Sequence, residues 1–106
     1  MDMTALFFDL NNDIVVTAKF PEITDGTGIT AEFYYKDSQT TPDDDPDTLV
    51  YQSGVTLGDD GVWFSTFEIP ATDNDEAGAF WWRVDAVDVD NKRRTAQRGT
   101  LLVESV

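Results

Sequence analysis

Apolar residues recur at every second position along much of this chain, and no stretch keeps the three-to-four spacing of an amphipathic helix. Residues 13–20 place Ile14, Val16, Ala18 and Phe20 on one side of a strand, with Val15, Thr17 and Lys19 on the other. Residues 29–36 repeat the pattern with Ile29, Ala31, Phe33 and Tyr35. Residues 62–69 and 79–88 are as strand-like, rich in aromatic and β-branched side chains. Weaker runs at 4–10, 48–53 and 94–104 complete the series.

Pieces rich in Gly, Pro, Asp and Asn separate these runs at 21–28, 37–47, 54–61 and 70–78. About seven short strands at this spacing predict an all-β, antiparallel sandwich, one domain over 1–106. The longest connection, 37–47, is polar and acidic and is expected to be mobile.

Composition supports a packed domain. A chain of 106 residues buries roughly two-thirds of its unfolded surface. Seven Phe, three Tyr and three Trp supply the bulk for a core. There is no Cys and no His, so disulfides, thiol nucleophiles, thiolate zinc sites and the commonest general base are all excluded. Nothing in the chain advertises an active-site pocket, so no enzyme activity and no cofactor are expected.

Charge narrows the partners. Twenty-one acids, sixteen of them Asp, oppose seven bases for a formal −14. Such a surface repels phosphate backbones and anionic lipid, which argues against nucleic acid and membrane partners. An Asp-rich, Lys-poor surface fits either plain acidic solubility or a halophilic host. No apolar export segment follows Met1, so synthesis in the cytoplasm without secretion is the expectation.

The segment 75–82, Asp-Glu-Ala-Gly-Ala-Phe-Trp-Trp, carries a Gly two residues before an aromatic corner residue, with Trp82 two residues further on. This resembles the entry to an immunoglobulin-type F strand, with Trp82 where the second core Cys stands. The continuation reads as a hairpin closed near Val89 to Lys92, with Gly99-Thr-Leu-Leu-Val103 on its return strand. It is similar to the C-terminal hairpin of small immunoglobulin-like virion proteins of tailed phages, including the N-terminal modules of baseplate upper proteins. Fibronectin type III domains have a comparable strand. The virion resemblance implies a structural protein, made in the host cytoplasm and multimeric in the particle, that docks on capsid, connector or tail proteins.

Candidate contacts follow from strand parity. With Phe80, Trp82, Val84 and Ala86 inward, Trp81, Arg83 and Asp85 face outward, and Thr30, Glu32, Tyr34 and Lys36 are the outward positions of the neighbouring strand 29–36. Tyr34, Trp81 and Arg83, together with the basic pair Arg93 and Arg94, form the candidate protein interface. The alternative places Trp81 over its own sheet beneath the long loop. For Arg93 and Arg94 it is a solvated strand offsetting Asp85, Asp88 and Asp90 across the hairpin. Phe64 is expected to be exposed, with Trp63, Phe67 and Ile69 inward.

The acidic clusters at 43–47, 59–60, 73–76 and 85–90 raise calcium as a rival, and exposed Trp and Tyr raise glycans. Asp73-x-Asp75 begins like an EF-hand, but Ala77 and Val84 occupy positions that need ligands. The 88–91 segment fits a hairpin turn better than a cation loop.

Overall fold

Alternation becomes strand wherever an aromatic or β-branched run can bury one face. The computed structural model describes residues 2–3 and 5–105, and no helix occurs among them. Nine strand segments form: β1 (Asp2–Met3), β2 (Leu6–Asp9), β3 (Ile14–Phe20), β4 (Thr30–Lys36), β5 (Leu49–Gly54), β6 (Thr56–Leu57), β7 (Trp63–Ile69), β8 (Gly78–Val87) and β9 (Arg93–Glu104). Each of the seven expected runs overlaps one of the longer strands, with β5, β8 and β9 each passing the expected bounds by one residue, and the dipeptides β1 and β6 bring the number of segments among the described residues to nine. Thr4, which opens the expected run 4–10, lies outside the described residues.

The strands form two sheets in a sandwich-like arrangement. The large sheet runs β1-β9-β8-β4-β5, with β2 also on β9; the small sheet runs β3-β7-β6. β1 and β2 lie parallel to β9, so the fold is not wholly antiparallel as alternation suggested. The chain leaves the large sheet through the turn at 10–13 and enters the small one with β3, which leaves its first strands beside its last.

The core lies between the sheets. Val16, Ala18, Phe20, Phe67 and Ile69 come from the small sheet; Ala31, Phe33, Tyr35, Trp82, Val84, Leu101 and Val103 come from the large one. Phe33 stacks on Trp82 at 5.9 Å and reaches across to Phe67 at 5.6 Å. Trp82 Nε1 donates to the Thr100 carbonyl at 3.1 Å, so the indole buries its apolar rings without stranding its polar edge. Each such side chain, fully buried, contributes about 1.5–3 kcal/mol.

Side-chain amides and carboxylates fasten the ends of the sandwich. Asn74, wholly buried, donates to the carbonyls of Asp9 at 2.7 Å and Asn12 at 3.1 Å, tying the β2–β3 turn to the segment after β7. Asn11 in that turn and Asn91 in the β8–β9 hairpin both adopt φ 62°, a left-handed backbone that Asn tolerates better than most residues. Gly26 lies under the Trp63 indole, where an added Cβ would sit 2.4 Å from Cε3. Trp63 is half-buried there, and Phe64 is also half-buried where exposure was expected.

Candidate interaction face

The outer face of the large sheet gathers the charged and aromatic side chains that alternation directs away from the core. On β4 these are Glu32, Tyr34 and Lys36; on β8 they are Trp81, Arg83 and Asp85, and the pairing sets Tyr34 against Arg83 and Glu32 against Asp85. A bulge in β9 then decides which arginine joins. Val84 pairs with Gln97 but Asp85 pairs with Thr95, so Ala96 is an extra residue that reverses the alternation of β9. Thr95 and Arg93 consequently share the outer face, and Arg94 falls on the opposite parity.

The result is a tight ionic network and not an open patch. Glu32 accepts from Gln52 Nε2 at 2.8 Å, from the Tyr34 hydroxyl at 3.1 Å and from Arg93. Asp85, with no exposed surface, accepts from Arg83 Nε at 3.0 Å, Thr95 Oγ1 at 2.9 Å and Arg93 at 3.1 Å. Asp43 reaches down from the β4–β5 loop to take two donors of Arg83, at 2.8 and 3.3 Å, and Lys36 at 3.0 Å. Lys36 also donates to the Thr41 carbonyl at 2.8 Å.

Three carboxylates therefore face three cations, with the Tyr34 ring between two guanidiniums at 4.2 and 5.8 Å. Burial opposes ionisation of Glu32 more than any other single influence, yet the hydrogen bonds from Gln52, Arg93 and Tyr34 together hold its carboxyl below the usual range. Arg83 hydrogen bonds do the same for Asp43. The Tyr34 hydroxyl is pushed up by burial and by its bond to Glu32. A paired network of this kind fixes geometry more than it adds stability; removing one member strands the rest.

Several expectations change here. Tyr34 faces outward but is only 6% exposed, because Arg83 and Arg93 cover its ring. The 37–47 loop, expected to be mobile, is folded over the sheet by Asp43 and by internal turn bonds such as Asp45 to Pro42 and Thr48 to Asp45. Arg93 joins Arg83 in the network and also lines, with Arg94, a cleft of about 460 Å³ beside Glu22, Ile23, Asp25 and Lys92, whereas Arg94 makes no bond to the network among the described residues. Trp81 is half-buried, paired with Lys36 and Thr100, outside the ionic network.

Trp81 instead neighbours an apolar strip that sequence reasoning missed. Phe7, Leu102 and Ala79 form one row across β2, β9 and β8, and Phe7 is 72% exposed. The phase of Phe7-Phe8 is ambiguous on its own; the burial of Phe8 settles it. The charges of Glu32 and Asp85 at the parity of Lys36 and Arg83 were the available signal for the network.

The remaining acids have local duties. Asp88 accepts from the amides of Asp90 and Lys92, each at 2.9 Å, closing the β8–β9 hairpin. Asp60 binds Lys19 at 3.0 Å, and Asp73 accepts from the Tyr51 hydroxyl at 2.9 Å. Among the described residues, no group of three or more acids is arranged to hold a metal ion.

No family model matches the chain, and no curated protein matches it. Among solved structures, a "putative glycoside hydrolase" from Bacteroides vulgatus ATCC 8482 is similar with a TM-score of 0.47 and 11% identity over 94% of this chain. The chain spans 17% of the length of that protein. A likeness this distant carries no argument about activity.

Proposed function

We propose that this chain is a non-enzymatic structural protein of a tailed-virus particle, an immunoglobulin-like sandwich that acts by docking on other virion proteins. The observation that carries the reading is the outer face of the large sheet. There an apolar strip, with Phe7 and Ala79 exposed and Leu102 and Trp81 half-buried, sits beside an ordered network that includes Tyr34, Arg83 and Arg93. Exposed apolar surface beside rigid, satisfied charge is the make-up of a protein-contact surface.

The immunoglobulin-like assignment is supported by strand order. β3 and β7 pair in one sheet while β4, β8 and β9 pair in the other, and the first strands lie parallel to the last. Phe80 occupies the corner position and packs on Tyr35 at 5.1 Å, with Trp82 in the core where a disulfide would lie. The excess of acid elsewhere keeps such a module soluble and away from nucleic acid until it docks.

The test is quantitative mass spectrometry of particles purified from cells that make this protein. A copy number on the scale of the major capsid protein would mean decoration; one on the scale of tail or vertex components would place it there. Absence from every particle would overturn the reading.

A further inference from the structure

The outer face of the large sheet can be followed in rows along β9. Asp9 and Glu104 form an end row; Phe7, Leu102 and Ala79 form the next; Thr100 and Trp81 the third; Arg98 and Arg83 the fourth. Successive rows on one face lie about 6.6–6.8 Å apart. The surface thus runs acidic, apolar, apolar, basic. Arg98 forms no ion pair among the described residues, and its Nε is buried without an acceptor.

That order is complementary to itself reversed. A two-fold axis in the plane of contact, crossing β9 between Thr100 and Leu102, brings two copies face to face with their strands opposed. Leu102 of one copy then meets Thr100 of the other and Ala79 meets Trp81, with Phe7 flanking them on the β2 side, and Glu104 of each faces Arg98 of its mate.

Overall charge favours the same occupant. The strands of this face carry Lys36, Arg83, Arg93 and Arg98, four of the seven cations, against Glu32, Asp85, Asp9 and Glu104. With Asp43 folded onto it from the β4–β5 loop the face carries one net negative charge, while the whole chain carries −14. A basic partner is drawn to the acidic remainder; a second acidic copy meets least repulsion here.

We propose that the chain pairs with a second copy of itself through the Phe7, Leu102, Ala79 and Trp81 strip, with Arg98 of each copy bound to Glu104 of the other. This rests on reading that face as an interface and names what occupies it. Sedimentation velocity of the full chain from about 1 μM to 1 mM is expected to show a concentration-dependent dimer. Phe7→Asp, at an exposed position, should weaken it about tenfold or more. Arg98→Glu and Glu104→Arg should each weaken it, and the double swap should restore it, since only opposed strands put these two residues together.

A monomer at every concentration overturns the proposal. So does a dimer indifferent to Phe7→Asp, or one that Glu104→Arg weakens and the double swap does not rescue. The virion reading fails separately: a dimer missing from particles sinks that reading alone, and a monomer found in particles sinks only the dimer.

Discussion

The guanidinium of Arg83 lies over the ring of Tyr34, 4.2 Å from its centroid, while its outer nitrogens hold Asp43. One side chain therefore joins the sheet to the loop above it. Its Nε is taken by Asp85 beneath, so the arginine is held along its whole donor edge.

Asp43→Ala should release that loop. Lys36, only 4% exposed, would keep the Thr41 carbonyl but lose its counter-charge. The expected outcome is a cost of about 1–2 kcal/mol and faster proteolysis within 37–48, with the far-UV spectrum unchanged. Limited proteolysis at matched concentrations reads this directly; equal cleavage rates would mean the loop is held by its own turns.

Acid should unfasten the network. The folded-state carboxyls of Glu32 and Asp43 lie below their ordinary values of 4.5 and 3.8. The unfolded state therefore binds protons first, and the stability these groups contribute is complete above those values and lost as pH falls through the folded ones. Urea unfolding at pH 7, 4.5 and 3 should show a midpoint that falls with pH. Glu32→Gln should flatten that dependence.

Alkali should act on the inner face of the strand that carries Glu32, at Tyr35. Burial, with Glu76, Asp75 and Asp37 nearby, pushes Tyr35 up to about 12 from 10. Its stabilising share is present below 10 and lost as pH rises through about 12. Tyrosinate absorbance followed with unfolding should show ionisation and loss of structure together for this residue, and Tyr35→Phe should remove that component.

The adjacent tryptophans should behave differently. Trp82, 2% exposed and stacked on Phe33, should cost about 3–5 kcal/mol on replacement by Ala. Trp81→Ala should leave the fold largely intact, because its side chain lies on the outer face. Paired denaturation curves decide this, and equal losses would mean that Trp81 is part of the packed interior.

Asn74→Ala should cost about 2–3 kcal/mol, because two turn carbonyls at Asp9 and Asn12 would lose their donor in a buried place. Hydrogen exchange should localise the effect to 9–13 and 70–75. Asn74→Asp should be no better, since a carboxylate cannot donate to either carbonyl.

How far the sequence could be read depended on what each signal encodes. The inward sets of 13–20 and 79–88 were legible because parity alone sorts Val16, Ala18, Phe20, Trp82 and Val84 to the core. Parity also sent Glu32, Tyr34 and Asp85 outward correctly. It could not say that they would be buried there, because that depends on Arg93 and Asp43 arriving from elsewhere in the chain. The bulge at Ala96 left no mark in composition, so Arg93 and Arg94 looked equivalent when one residue of slippage separates them. The parallel placement of β2 was hidden for a similar reason. Two adjacent phenylalanines fit either face, and strand direction is set by where the following turn leads.

That parallel placement has a mechanical consequence. β2 and β9 run the same way side by side, with Leu6 to Asp9 against Leu101 to Glu104. Tension applied at the first and last residues would pull these strands past each other along their length. Their hydrogen bonds would then be loaded together in shear instead of parting one at a time like a zipper, so the seam should resist stretching far better than its four paired positions suggest.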